Sequence, residues 1–135
     1  MAKRALCVGI NQFSNLPMAS WLNGCVNDAT DMAAMLRKRG FAPRAITVLT
    51  DAQATKANVM AALTKLVETA KDGDHIVFSF SSHGTQVPDS DGDEGHPEPD
   101  GADEAFACHD IAQKGDQWDT DTVIVDDELR VFFGR

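Results

Sequence analysis

Three short apolar runs, separated by two stretches of helical periodicity, limit most tightly the folds open to this chain. Residues 5–10 (Ala-Leu-Cys-Val-Gly-Ile), 45–49 and 75–81 (His-Ile-Val-Phe-Ser-Phe-Ser) have the length and apolar content of buried strands. After the first, a helix is expected over 29–39, capped by Asn27 or Asp28, with Met32, Met35 and Leu36 as its apolar stripe and Gly40 as its stop. After the second, Thr55 caps a helix reaching about Lys71, with Val59, Leu63, Leu66 and Val67 at helical spacing, and Asp72-Gly73-Asp74 breaks it. Strand, helix, strand, helix, strand is the pattern of a doubly wound α/β fold with a mostly parallel sheet. Chemistry in such sheets collects beyond the carboxyl ends of the strands. Two segments lie there: the connection at 11–28, and Ser81-Ser82-His83-Gly84.

From 85 to about 117 the chain is rich in Asp, Gly and Pro and reads as loop, and Asp126–Phe133 reads as a short last helix with an acidic first turn. Three strands make half a sheet. One more apolar strand would complete it, and Val131, Phe132 and Phe133 need cover, so the chain is expected to be part of a larger unit. Its 135 residues suit one domain.

Charge narrows the function classes. The net charge is -9, yet residues 89–128 alone hold fifteen Asp and Glu against one Lys. No basic face is available for a nucleic-acid backbone, so nucleic acid is not an expected partner. The acid has to be a tail, a solvated loop or a cation site. No apolar run approaches the length of a membrane span, and no membrane partner is expected. Cys7, Cys25 and Cys108 are odd in number and widely spaced, which argues against a disulfide framework and a zinc ribbon and for a reducing cytoplasmic setting.

Among the titratable residues His83 stands out. It follows a buried strand and precedes Gly84, where a sharp turn can present an imidazole as general base or thiol activator. His75, His96 and His109 sit at a strand start and in polar loops, without zinc spacing to the cysteines. Cys108 beside His109 invites a catalytic reading, but neighbours in sequence seldom form the working pair. Asp103, Glu104 and Asp110 would also raise that thiol's pKa, the wrong direction for a nucleophile. Asp89, Asp91 and Asp93 resemble the start of an EF-hand loop, but Glu94 replaces the glycine at position six and Asp100 the glutamate at position twelve. A looser Ca²⁺ site of hard oxygens from Asp103, Asp126 and Asp127 fits this density of carboxylates better.

Five blocks then carry a family resemblance: Arg4-Ala-Leu-Cys-Val-Gly-Ile-Asn11, Leu22-Asn-Gly-Cys25-Val-Asn-Asp28-Ala, Ser81-Ser-His83-Gly84-Thr-Gln86, Asp103-Glu104-Ala and Val125-Asp126-Asp127-Glu128-Leu129. In this order and spacing the sequence resembles the metacaspases, caspase-like cysteine peptidases, over residues 4–131. The resemblance implies a caspase-like (caspase–hemoglobinase) three-layer α/β sandwich, here incomplete. The whole of 1–135 would correspond to the large catalytic subunit, with an acidic loop at about 85–125. It implies calcium-dependent cleavage after Arg or Lys, with peptides or proteins bearing those residues as substrates. His83 would be the dyad histidine, and Gly84 would supply an amide to the oxyanion. Asp28, Ser81 and Cys25 would form the pocket for the substrate's basic side chain, with Asp28 expected as a buried carboxylate facing a cleft. Asp103, Asp126 and Asp127 would be ligands of an activating Ca²⁺. The family's nucleophilic cysteine lies on a following strand, in an Asp-x-Cys-His-x-Gly motif that residues 1–135 do not contain. A Cys-bearing downstream segment or small subunit is therefore the implied partner, and the chain alone is expected to be inactive. The alternatives are a pseudo-peptidase that binds calcium or Arg/Lys peptides without cleaving them, and a plain acidic calcium-binding protein.

Overall fold

The computed structural model describes residues 2–88, 102–114 and 117–133. Its first half is a parallel sheet of β1 (Lys3–Gly9), β2 (Ile46–Thr50) and β3 (His75–Ser81), in the order β2-β1-β3. The central strand is buried on both faces, and its alternation divides the core. Ala5 and Cys7 pack with Ala29, Ala33, Leu36 and Phe41 on one side; Leu6 and Val8 pack with Val59, Leu63 and Leu66 on the other. Helices α1 (Cys25–Lys38) and α2 (Lys56–Glu68) thus form outer layers on opposite faces of the sheet.

The expected strands and helices are present, with shifted ends. Helix α1 begins a turn earlier than Asn27 or Asp28 would allow as caps. The residue before it, Gly24, has no capping side chain. Asn11 serves instead: its Oδ1 accepts from the N–H of Cys25 at 2.8 Å and Val26 at 3.3 Å, two of the donors a helix start leaves unpaired. The buried stripe is Cys25, Ala29, Ala33 and Leu36, while Met35 is exposed. The helix stops as expected. Gly40 adopts φ 95°, its N–H meets Arg37 O, and Phe41 N–H reaches back to Leu36 O, a Schellman closure with Phe41 buried beside Leu36. Thr55 caps α2 through Asn58 N–H. At the other end of β1, Asp74 accepts from the N–H of Ala2 and Lys71 and pairs with Arg4, and these contacts hold its carboxyl below the usual carboxylate range.

Residues 85–117 are not simply loop. They contain β4 (Gly84–Pro88), β5 (Ala102–Ala107) and a small hairpin of β6 (Gln113–Lys114) and β7 (Gln117–Trp118). With β8 (Val123–Val125), strands β4 and β5 make an antiparallel sheet, β4-β5-β8, that leads into α3 (Asp126–Phe133). Ala105, Ala107, Val123 and Ile124 bury themselves in the α2-side core. Small inward residues among acids gave little strand signal, and the pairing that stabilises β5 comes from strands distant in sequence. The EF-hand-like residues from Asp89 to Glu94, His96 and Asp100 lie outside the described residues, and so does the side chain of Asp103. No described helix is long and apolar enough to cross a membrane.

Candidate active site

The carboxyl ends of β1 and β3 lie side by side, with Gly9 opposite Ser81. Beyond them the chain places His83, Ser81 and the first turn of α1. Gly9 lets the helix come this close, because a Cβ there would sit 2.2 Å from Cys25 O and 2.9 Å from Ala29 Cβ. Asp28, on that first turn, accepts a hydrogen bond from Ser81 Oγ at 2.9 Å. The sequence expectation is corrected in one respect: Asp28 is exposed, not buried, for it lies on the first turn of α1 beside Ser81, the last residue of β3, and not within the helix stripe Cys25, Ala29, Ala33 and Leu36 that packs on the sheet. Its charge is met by one hydroxyl and by water, which leaves room for a cationic partner. Cys25 is buried at the start of α1, its N–H held by Asn11.

The His83 ring is held from two sides. Its Nε2 lies 2.6 Å from the Ser20 carbonyl. A carbonyl oxygen can only accept, so Nε2 carries the proton and the neutral ring keeps Nδ1 as its basic nitrogen. Phe13, fully buried, packs beside the ring with centroids 5.3 Å apart. Neither contact was legible in the sequence. Ser20 acts through its backbone, and Phe13 reads as an isolated apolar residue in a polar loop.

Gly84 opens β4. The Ala107 N–H donates to His83 O at 2.9 Å, so Gly84 and Phe106 form the non-hydrogen-bonded pair of this ladder. Gly84 N–H therefore points away from β5, at the edge of the sheet. An amide that faces out of the ladder can donate to an oxyanion bound beside the strand.

Cys108 is excluded as a nucleophile on stronger grounds than its acidic neighbours. It is fully buried, and burial first, with Asp110 adding to it, pushes its thiol up to about 12. Burial likewise raises Cys7.

Of the three expected calcium ligands, Asp126 and Asp127 open α3 directly after Val125 of β8, which pairs with Ala105, two residues beyond Asp103 on β5. Asp127 is ion-paired with Arg130, and Glu128 with Lys56 at 2.9 Å. Among the described residues no three His, Cys, Asp or Glu side chains are grouped to hold a metal. The described side chains therefore do not assemble a cation site by themselves.

A parallel sheet between helices, with a strand-end histidine oriented through Nε2, defines a caspase-like α/β fold. The sequence model of the metacaspase peptidase C14 domain matches residues 3–133, and the chain belongs to that family. It is 38% identical over 134 residues to Metacaspase-1A of Aspergillus fumigatus, covering 94% of this chain and 29% of the relative. It is 38% identical over 140 residues to Metacaspase-1 of Cryptococcus neoformans, covering 98% of this chain and 27% of the relative. The chain thus spans under a third of the length of these relatives. A crystal structure of a protein from Geobacter sulfurreducens superposes with a TM-score of 0.73 at 34% identity, over 99% of this chain and 45% of the other.

Proposed function

We propose that this chain supplies the histidine half of a Cys–His endopeptidase that cleaves after Arg or Lys. The observation that carries the reading is the Nε2–Ser20 contact, which leaves Nδ1 of His83 as the base. The thiol comes from a segment outside these residues, since Cys7 and Cys108 are buried with raised pKa and Cys25 is buried at a helix start. Nδ1 of His83 takes the proton of that thiol, the thiolate attacks the scissile carbonyl carbon, and a carbon–sulfur bond forms as the carbonyl π pair moves onto oxygen. Gly84 N–H donates a hydrogen bond to the oxygen on which the charge grows. The carbon–nitrogen bond then breaks as His83 gives that proton to the leaving amine; water, deprotonated by His83, attacks the acyl carbon, and the carbon–sulfur bond breaks to release the acid while His83 returns the proton to the sulfur.

Asp28 recognises the basic side chain of the substrate, steadied by Ser81, with Cys25 at the pocket wall. A guanidinium can meet a carboxylate with two parallel bonds, so Arg is the best match. Replacing Asp28 with Ala in the full-length protein should lower kcat/KM for an Arg substrate roughly ten- to a hundredfold, the worth of one charged hydrogen bond. The change should fall mostly on KM. A series of peptides differing only at the cleaved residue reads this directly, and equal losses for Arg and Ala peptides would remove Asp28 from the pocket.

Calcium enters as a ligand of Asp103, Asp126 and Asp127, supported by the β5–β8 register and the hardness of carboxylate oxygens. The peptidase steps above do not pass through it. Titration calorimetry with CaCl₂ should show weaker binding when Asp126 and Asp127 are both replaced by Asn, and unchanged affinity would place any calcium elsewhere.

A further inference from the structure

The two groups that orient His83, the Phe13 ring and the Ser20 carbonyl, both belong to the connection between β1 and α1. This segment has little regular structure beyond a 3-10 turn at Met18–Ser20, so something else must hold it. His109 does. Its Nδ1 lies 2.7 Å from Gln12 O, and since that oxygen can only accept, Nδ1 carries the proton. Its own carbonyl accepts Ser14 N–H at 3.0 Å. The residue thus grips the chain on either side of Phe13. His109 is fixed in turn, its N–H bonded to Ala54 O at 2.9 Å beside the start of α2. From Phe13 the linkage continues: Trp21 Nε1 donates to Phe13 O at 3.1 Å, and Trp21 N–H closes the turn onto Met18 O, next to Ser20.

We infer that His109 is a positioning residue for His83, acting through Gln12, Phe13 and Ser20 without touching substrate. The inference rests on the peptidase reading for its kinetic consequence but not for its structural one. Asp51 holds the same segment from the β2 side, its Oδ1 accepting Asn11 and Gln12 N–H. Those bonds end at Gln12; beyond Phe13 the segment is held by backbone carbonyls, Ser14 at His109 O and Asn15 at Asp110 O, so the His109 ring is the side chain that fixes the Gln12 carbonyl just before Phe13. The sequence offers Cys108-His109 as a catalytic pair; the structure gives the histidine a different task, with the cysteine buried behind it.

The test compares His109→Phe, which keeps a flat ring but has no donor, with His109→Asn, whose amide can replace Nδ1–H. Nitrogen-15 shifts of the His83 ring in the full-length protein report its tautomer without any turnover. In the parent and in His109→Asn the neutral ring should be the Nε2–H form; in His109→Phe it should become a mixture. With an Arg peptide, kcat for His109→Phe should fall about tenfold or more, as expected when a catalytic group is misplaced, with KM little changed and recovery in His109→Asn. A His83 tautomer that stays Nε2–H in a folded His109→Phe protein would overturn the positioning role. An altered tautomer without any peptidase activity even in the parent would uphold it and sink the peptidase reading instead. Should His109→Phe fail to fold, Gln in place of His109, whose amide matches Nε2 and not Nδ1, gives the same comparison.

Discussion

Replacing Gly9 with Ala should destabilise the full-length protein by about 3 kcal/mol, the upper end of overpacking penalties. The new methyl would lie 2.2 Å from the carbonyl oxygen of Cys25 and 2.8 Å from its carbon. These are backbone atoms in the first turn of α1, so no rotamer change relieves the clash; either the helix start moves off the sheet or β1 bends. Neighbouring Ala29 Cβ at 2.9 Å closes the remaining direction. The full-length protein should lose several degrees in Tm for that penalty. Gly24 is the matched control, since nothing lies within 4 Å of a Cβ built there. Thermal unfolding of Gly9→Ala and Gly24→Ala should separate clearly, and similar Tm values for the two would contradict the close helix–strand approach. Activity should fall as well, because the shifted turn carries Asp28 away from Ser81.

Much of this arrangement was written in local sequence, and the rest was carried by distant contacts. Strand β1 was legible because burial on both faces makes it a continuous apolar run. Strands β2 and β3 were legible as apolar runs too, although their residues are only partly buried or exposed, since among the described residues each pairs with β1 alone, at an outer position of this sheet. Thr55 and Gly40 announced their helix ends because a capping hydroxyl and a left-handed residue are properties of the position itself. The start of α1 was misplaced by a turn because its cap, Asn11, comes from fourteen residues earlier. Strand β5 was hidden because its inward side chains are alanines and its partners are β4 and β8. At the site, His83 showed itself by following an apolar strand run. Its orientation did not, since a backbone carbonyl and one phenyl ring determine it. Asp28 was placed on the right turn of α1 but given the wrong exposure, because the sequence does not say how far that turn projects past the strands.

The loss of His83 should have the largest effect on function. With His83 replaced by Ala, the attacking thiol has no base and the departing amine has no acid. General acid–base catalysis of this kind contributes roughly a hundred- to ten-thousandfold. Both steps of turnover use the same nitrogen, so the loss should lie at the top of that range. Fold stability should change little by comparison, since the ring is only partly buried. The deciding measurement is acylation of the full-length protein by an Arg ester, with the modified cysteine located by mass spectrometry in the parent and in His83→Ala. The acyl group should appear on a cysteine other than Cys7, Cys25 and Cys108, rapidly in the parent and scarcely at all in the variant. Acylation of Cys108 or Cys25, or an unchanged rate without His83, would contradict the central claim that this chain brings the histidine to a thiol supplied from elsewhere.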